Sequence, residues 1–403
     1  MRLKDVAFVN LRTLDESTKG DYKFRYIDIS SVSADNGITL GDEITFQEAP
    51  SRARRIVKKD DVLVSTVRTY LRAIANIDWD AKDIIASTGF AVYTPNNKII
   101  PRFLAYSIKS TKAINQICSN SKGVSYPAIQ AQVLSSIEIP YWDLKRQEAI
   151  AAYLDKECEK IGRKIELLER KADAYSRLRR SLINRAVTRG LDPNVSLKPS
   201  GLRWIPYIPT HWEISRVRNF FEYRNEKVSE TDFGPLSVTK NGVIPQMENV
   251  AKSLAEGDTR KKVCKNDFVA NSRSDRKGSC GTSPLDGSVS LIYIVLEPKN
   301  IFPNFVNYYF RSNDWVEEFY RNGKGIVADL WTTNYVTMRN IEIAVPPMEE
   351  QKEIAAYLDE KCAKIDTILE KINTEVERLK ELKRSLINEV VTGQRAIDTE
   401  SRS

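Results

Sequence analysis

The chain repeats itself, and this repeat constrains its architecture more than any other feature. The string QEAIAAYLDKECEKI, which begins at Gln147, recurs as QKEIAAYLDEKCAKI from Gln351. The same offset of 204 residues places RRSLINRAVTRG, from Arg179, over KRSLINEVVTGQ, from Lys383. A long match without a gap is typical of a continuous helix, because an insertion would rotate everything beyond it by about 100° per residue. We therefore predict two copies of one structural unit.

The match continues upstream of each predicted helix, with small shifts between its anchor points. The matching groups are Val57, Lys59 and Asp61 with Val263, Lys265 and Asp267; Pro101, Phe103 and Tyr106 with Pro303, Phe305 and Tyr308; and Ile137–Ile139 with Ile341–Ile343. Gaps that fall between anchors indicate one framework that carries different loops.

Each copy has two parts. Short alternating or β-branched runs such as DDVLVSTV and VSLIYIVL, mixed with helical stretches, predict an α/β domain. The second part is one long helix, and Gly190 and Pro193 should end the first of them. We predict an α/β domain over residues 1–142, a helix over 143–190, a second α/β domain over 191–347, a second helix over 348–395 and a polar tail over 396–403.

Both predicted helices carry an apolar seam with steps of three, four and seven residues. The seam residues are Leu154, Ile161, Ile165 and Leu168 in the first helix and Leu358, Ile365, Leu369 and Ile372 in the second. A helix with one apolar seam needs a partner, and the chain supplies one in its other copy. The predicted fold is α+β: two α/β domains separated by two long antiparallel coiled-coil helices of roughly 60 Å, related by a pseudo-twofold axis.

Basic residues concentrate at matching positions of the two domains. The chain carries a net charge of +8, which suggests a polyanionic partner. Two short segments of the chain each contain seven basic residues and only two aspartates. The basic residues are Arg52, Arg54, Arg55, Lys58, Lys59, Arg68 and Arg72 in the first copy, and Arg260, Lys261, Lys262, Lys265, Arg273, Arg276 and Lys277 in the second.

A run of charged residues usually forms a solvent-exposed surface without a specific binding role. Two runs of equal net charge at equivalent positions, rich in Ser, Thr and Gly, instead favour contact with phosphates and base edges of nucleic acid. Lysines, hydroxyls and backbone amides suit phosphates, whereas Arg forks suit guanine edges.

We find no catalytic or metal-binding pattern. The string GKGIVAD lacks the spacing of a phosphate-binding loop, and no NPPY-type string for methylation of a base amino group is present. Five scattered cysteines and the single His211 do not suit a zinc site. From these patterns we expect no metal or cofactor in this chain. No run approaches the roughly 18 apolar residues of a membrane span, so we expect a cytoplasmic protein.

Taken together, these features resemble a known family. The tandem layout, the twin QxxIAxYLD helix starts, the twin RSLIN helix ends and the string GLRWIPYIPTHWEISRV from Gly201 are similar to the specificity subunit of type I restriction-modification systems. The resemblance covers essentially the whole chain. One departure is that the first copy begins at MRLKDVAF and lacks the IPTHW lead-in, so that segment is dispensable there or the true start lies upstream.

The resemblance implies a function. Each α/β domain would be a target recognition domain for double-stranded DNA, and the helices would space the domains and dock two modification subunits that carry S-adenosylmethionine. Two restriction subunits would join for cleavage. Two domains on one rod would read a bipartite, asymmetric target, because linkage makes the second contact intramolecular.

Two other classes of function stay open at this point. A self-contained DNA methyltransferase or nuclease would need a cofactor or metal site, which binding of S-adenosylmethionine to the purified chain would reveal. A helical scaffold without DNA contact would leave the matched basic segments unexplained, and a salt-dependent DNA-binding assay would distinguish it.

Overall fold

The computed structural model describes residues 1–33, 37–246, 257, 259–325 and 331–397. The chain divides into two compact units. The first contains Met1–Arg170 and Ile372–Ser403, and the second contains Lys171–Lys371. Each unit therefore combines one α/β domain with part of both long helices.

The first unit is built from short strands followed by helices. Its strands are β1 (Ala7–Val9), β2 (Lys23–Ile27), β3 (Val32–Ser33), β4 (Gly37–Ile38), β5 (Glu43–Thr45), β6 (Ala53–Ile56), β7 (Val62–Ser65), β8 (Ile74–Asn76), β9 (Ile84–Ser87) and β10 (Phe90–Pro95). Its helices are α1 (Pro101–Ile108), α2 (Thr111–Ser119), α3 (Ala131–Leu134) and the first part of α4 (Leu144–Arg189).

Two sheets form the domain of the first unit. One is antiparallel with the order β1-β10-β7-β8, and the other has the order β5-β2-β9-β6, in which β2 and β9 run parallel. The β-branched run DDVLVSTV contains β7, whose four residues are all buried. The first sheet packs on α1 and α2 through residues such as Val64, Tyr93 and Phe103.

The second unit is also built from short strands and helices, but its elements differ in length from those of the first unit. Its strands are β11 (Leu197–Leu202), β12 (Ile205–Pro209), β13 (Glu213–Arg216), β14 (Phe221–Tyr223), β15 (Lys227–Val228), β16 (Leu236–Thr239), β17 (Gly242–Pro245), β18 (Arg260–Val263), β19 (Phe268–Asn271), β20 (Cys280–Thr282), β21 (Gly287–Ser290), β22 (Tyr293–Pro298) and β23 (Glu342–Val345). Its helices are α5 (Pro303–Tyr309), α6 (Asn313–Arg321), α7 (Tyr335–Met338) and parts of α4 and α8 (Met348–Val391).

The sheet order repeats between the units. The order β14-β22-β19-β20 reproduces β1-β10-β7-β8, and β15-β18-β21 is a separate three-stranded sheet in which β18 pairs with β21 as β6 pairs with β9. A parallel bridge joins Pro235, at the entry to β16, to Ser288 of β21, as β2 runs parallel to β9. The predicted repeat is confirmed at the level of strand order.

The lead-in string forms a hairpin that has no counterpart among the described residues of the first copy, whereas the strand that follows it corresponds to the bridge between Arg2 and Glu138. The string folds into the hairpin β11-β12 and leads into β13, which pairs with β23. Trp212 is buried, and its indole nitrogen donates to Glu350 of α8 at 3.0 Å. The ring nitrogen Nε2 of His211 lies 2.7 Å from the same carboxylate.

The long helices pack antiparallel inside each unit, as predicted. In the first unit, Leu154 from the start of α4 and Leu386 from the end of α8 share one core. In the second unit, Val187 from the end of α4 shares a core with Leu358 from the start of α8. The observed bounds differ by one residue at each end of α4 from the predicted helix over 143–190.

The predicted seam residues lie on the packed sides of these helices. Leu154, Ile165, Leu358, Ile365 and Ile372 are buried, while Ile161, Leu168 and Leu369 are partly exposed. Among the described residues, no helix combines the length and the apolar character that a membrane span requires.

The twin QxxIAxYLD string attaches each domain to its long helix. The side-chain oxygen of Gln147 accepts the backbone N–H of Ile100 at 2.9 Å, at the start of α1. The same atom of Gln351 accepts the N–H of Phe302 at 2.7 Å, at the start of α5. Both glutamines are buried. A buried amide fixes orientation because leaving its partner unsatisfied is costly, so each string sets how a domain meets its helix.

Candidate nucleic-acid interface

The first basic segment is divided between the two ends of β7. Lys58 and Lys59 lie in the exposed turn that enters the strand, and Arg68 and Arg72 lie beyond its exit. Arg52 is exposed, whereas Arg54 and Arg55 belong to β6 and are partly buried. The segment is thus two surface groups joined by a buried strand.

Arg68–Arg72, here called the first basic turn, has a constrained backbone. Arg68 and Arg72 both adopt the left-handed conformation, with φ of 49° and 52°. This conformation is unfavourable for a residue with a Cβ, so surrounding contacts must hold it. The N–H of Arg68 donates to the carbonyl of Pro127 at 2.7 Å, and the hydroxyl of buried Thr69 lies 2.8 Å from that of Ser121. The turn is therefore a rigid platform for two Arg side chains.

A neighbouring loop over residues 122–128 extends this surface, and the sequence did not lead us to it. The guanidinium of Arg68 lies over the ring of Tyr126, 4.8 Å from its centroid. Val124 is fully exposed, and Tyr126 is 66% exposed. Exposed apolar and aromatic side chains beside arginines are typical of binding surfaces. The available signal was the dipeptide Lys122-Gly123, which recurs as Lys324-Gly325.

The second copy places Arg273–Lys277, the second basic turn, in the same way. The N–H of Ser274 donates to the carbonyl of Trp331 at 2.9 Å, as Arg68 does to Pro127. Thr332 forms β-bridges with both Arg273 and Lys324, as Ala128 does with Val67 and Lys122. Residues 326–330 of this neighbouring loop lie outside the described part of the chain.

The two basic turns differ in their local charge balance. In the second, Asp275 pairs with Arg273 at 3.1 Å and with Arg276 at 3.9 Å, and Lys277 pairs with Glu317 at 2.7 Å. In the first, the side chains of Arg68 and Arg72 form no ion pair with any described carboxylate. The two turns therefore present different patterns of hydrogen-bond donors, as two different DNA blocks would require.

The entry to β7 and its equivalent at β19 share a buried charge pair. Asp61 is 1% exposed and accepts hydrogen bonds from the guanidinium of Arg12 and the N–H of Lys58. Asp267 does the same with Arg224 at 2.6 Å and the N–H of Cys264. These contacts fix the turns that carry Lys58, Lys59 and Lys265, which all remain exposed.

Some predicted contact residues are held by the protein itself. Lys261 is 5% exposed, and its ammonium donates to the hydroxyl of Tyr223 at 2.8 Å and to the carbonyl of Tyr293 at 2.7 Å. The sequence predicts Lys261 as a nucleic-acid contact together with its basic neighbours, but its ammonium lies inside the protein. It points inward because β18 alternates its side chains, and Val263 is buried on the same side.

The remaining basic side chains of the second segment are only partly available. Arg260 donates to the hydroxyl of Ser288 at 2.8 Å, and Lys262 pairs with Glu226 at 3.1 Å. Burial lowers the pKa of Arg260 and, in the first copy, of Arg55. Both guanidinium groups stay charged at neutral pH, because the usual pKa of Arg is above 12. We therefore centre the candidate interface on the two basic turns and their neighbouring loops.

The described residues contain no group of three or more His, Cys, Asp or Glu side chains placed to hold a metal ion. The partly buried hydroxyls and carboxylates near the basic turns are engaged in turn and strand contacts, such as Ser65 with the carbonyl of Val67 at 2.6 Å. What the surface offers is Arg and Lys donors on rigid turns, which suits recognition of a polyanion.

Both repeats of the chain are similar to known proteins. The family model of the type I restriction modification DNA specificity domain matches it twice, over residues 1–171 and 209–378. A putative type I restriction enzyme MjaX specificity subunit from Methanocaldococcus jannaschii is 23% identical over 371 residues, which cover 88% of this chain and 82% of that protein. The type I restriction enzyme StySPI specificity subunit from Salmonella potsdam is 22% identical over 312 residues, which cover 74% of this chain and 66% of that protein.

A solved structure supports the fold. It concerns complex assembly and conformational transition of the type I R-M system, and one of its chains superposes with a TM-score of 0.67 at 21% identity. The superposition covers 98% of this chain and 97% of that one. The two family matches coincide with the two structural repeats and include both basic turns. The chain belongs to the family of type I restriction-modification DNA specificity subunits.

Proposed function

We propose that this chain reads a bipartite, asymmetric double-stranded DNA target on behalf of a type I restriction-modification complex, and that it has no catalytic centre of its own. The observation that carries the proposal is the presence of a rigid basic turn at the same place in each repeat. Each turn follows an equivalent buried strand, β7 or β19, and is held by an equivalent neighbouring loop.

The two basic turns differ in their ion pairs, so we infer that the two domains recognise different DNA blocks. Arg68 and Arg72 are free of ion pairs with described carboxylates, whereas Arg273 and Arg276 share Asp275. An Arg that donates two hydrogen bonds to a guanine discriminates by about 1–3 kcal/mol. A few such contacts in each domain are enough for selectivity when both domains bind one DNA molecule.

The catalytic functions are proposed to lie on partner proteins. Two copies of a modification subunit would dock on the duplicated helices and carry S-adenosylmethionine, and restriction subunits would join them for cleavage. The duplication supports this stoichiometry, because a surface that occurs twice on one chain can bind the same partner twice. We propose the cytoplasm, where the DNA of the host is located, as the compartment.

The proposal is tested by methyl transfer in parallel reactions. The purified chain, its encoded modification partner and the mixture of both are each incubated with host DNA and labelled S-adenosylmethionine. We expect label in DNA from the mixture only. Methyl transfer or DNA cleavage by the chain alone would identify it as an enzyme, and a mixture that methylates without binding of the chain to DNA would identify it as a scaffold.

A further inference from the structure

In the first unit, a cleft separates the domain from α8 beside the first basic turn. Its walls include Arg72 of the turn, Lys109 after α1 and Arg384 of α8. Glu377 and Glu381 also line it. The cleft therefore begins at the candidate interface and continues onto the surface of a long helix.

The second unit has a cleft in the equivalent place. Lys277 of the second basic turn, Arg311 after α5, and Arg179 and Arg180 of α4 line it. Two of its carboxylates are already neutralised, since Glu317 pairs with Lys277 at 2.7 Å and Asp366 pairs with Arg179 at 3.0 Å.

The cations of the two clefts correspond in the repeat. Arg180 and Arg384 differ by the helix offset of 204 residues. Lys109 and Arg311 each precede the serine, Ser110 or Ser312, that caps the next helix. Positive charge thus lies at the same points of both clefts, on the domain side and on the helix side.

Several of these cations have no acidic partner. Within the described part of the chain, no carboxylate forms an ion pair with Arg180, Arg311 or Arg384. The guanidinium of Arg311 donates to the carbonyl of Lys240 at 2.9 Å, and its burial lowers its pKa. Arg311 is therefore a partly buried cation that a bound anion would stabilise, while Arg180 and Arg384 are exposed and accessible to the same anion.

We propose that each cleft guides the DNA backbone from a basic turn onto a long helix, with Arg180 and Arg384 as phosphate contacts on the helices. This inference rests on the proposed function, that the chain binds DNA. Double-stranded DNA is the occupant that fits, because each cleft is continuous with a basic turn and has on each wall an Arg that pairs with no described carboxylate: Arg72 and Arg384 in the first cleft, Arg311 and Arg180 in the second. The contacts are independent of sequence, since a phosphate presents the same oxygens in every base step.

The test measures binding of the full chain to a fluorescein-labelled DNA duplex of about 40 base pairs and arbitrary sequence, over about 50 to 200 mM salt. The cleft variant carries Arg180→Gln and Arg384→Gln. Because each lost phosphate contact reduces the slope of log K against log salt by about 0.9, we expect this slope to fall by about 2 and the affinity by roughly tenfold. Arg→Lys at both positions should restore most of the slope.

A matched control removes the same charge from the same helices. Lys160 and Lys364 are also one repeat offset apart and are exposed, where they pair with Glu157 and Glu360 on their own helices. Lys160→Gln with Lys364→Gln should leave the slope unchanged. A cleft variant that is folded by circular dichroism and binds as the control does would overturn the inference.

A third variant separates the two levels of the proposal. It replaces Arg68, Arg72, Arg273 and Arg276 by Ala. If this variant loses DNA affinity while the cleft variant keeps it, the chain binds DNA but the clefts do not. If the cleft variant instead loses only the encoded modification subunit in a pull-down, the clefts are protein-docking sites and the inference is wrong. If no variant changes DNA affinity, the proposed function fails as well.

Discussion

The indole N–H of Trp142 donates a hydrogen bond of 2.9 Å to the carbonyl oxygen of Val391. Trp142, two residues before the start of the first long helix, thus holds the last residue of the second. Helix ends leave carbonyl groups without intrahelical partners, and a side-chain donor satisfies one of them here. The antiparallel pairing in this unit is therefore fixed by a specific contact in addition to its apolar seam.

Gly393→Ala is expected to destabilise the first unit. Gly393 has a φ of 76°, and an added Cβ would lie 2.8 Å from the ring of Trp142. The backbone conformation and the clash act together, so we expect a loss of about 1–3 kcal/mol in the free energy of unfolding, measured by urea denaturation. Gly162→Ala is the control, since its added Cβ meets no atom within 4 Å and the site lies in α4. This change should stabilise by up to about 1 kcal/mol. Equal effects of the two changes would contradict the role of the Trp142 contact.

Loss of one partner from a buried charge pair at a strand entry should strongly destabilise the protein. Asp267→Asn removes the carboxylate that faces Arg224, whose pKa is raised mainly by that hydrogen bond. Breaking a buried pair by loss of one partner costs about 3–5 kcal/mol, and we expect about 3 kcal/mol here by thermal and chemical denaturation. Asp60→Asn is the matched control. Asp60 is exposed with φ of 72°, and the second copy carries Asn266 with φ of 74° at the equivalent place. A loss for Asp60→Asn as large as that for Asp267→Asn would show that the pair is not the cause.

Lys261 and Lys265 should behave differently although both are basic and close in sequence. Lys261→Ala leaves the carbonyl of Tyr293 without its donor, so we expect a loss of about 1–3 kcal/mol in stability. Lys265 is exposed, and Lys265→Ala should change stability by less than about 0.5 kcal/mol. In DNA-binding titrations, the second change should lower affinity for every sequence and reduce the salt slope by about 1. A reversal of these two patterns would mean that Lys261 is the residue that contacts DNA.

The long helices could be predicted closely, and the reason is their regularity. An ungapped repeat with apolar seam positions such as Leu154 and Leu358 determines helix type, length and partner, and the observed α4 ends at Arg189, just before Gly190. The strand order of the domains could not be derived in the same way. It depends on pairings between segments far apart in the chain, such as β2 with β9.

The residues of the candidate site could also be predicted only in part from the sequence. Charge counting located the segments that contain Arg68 and Arg273, but it could not separate Lys261 from its exposed neighbours. The alternation of β18 places Lys261 on the buried side with Val263, and this period of two was visible once the strand was recognised. Tyr126 was missed because only folding brings its loop beside Arg68.

The strongest test of the proposed function is that each basic turn specifies one block of the target. Arg68→Ala with Arg72→Ala changes the first turn alone, and Arg273→Ala with Arg276→Ala changes the second. Both pairs of side chains are exposed, so stability should change by less than about 0.5 kcal/mol per site. Each lost contact to a base edge removes about 1–3 kcal/mol of discrimination, so the affected block should become degenerate or binding to it should fail.

The measurement is the sequence of methylated sites produced in DNA by each variant with its modification partner. Lys58→Ala with Lys59→Ala is the control, since loss of phosphate contacts should lower the extent of methylation at every site and leave both blocks unchanged. Because each turn belongs to one domain, the effects should not cross. Degradation of the same block by both pairs of Arg changes would show that the two domains do not read DNA separately.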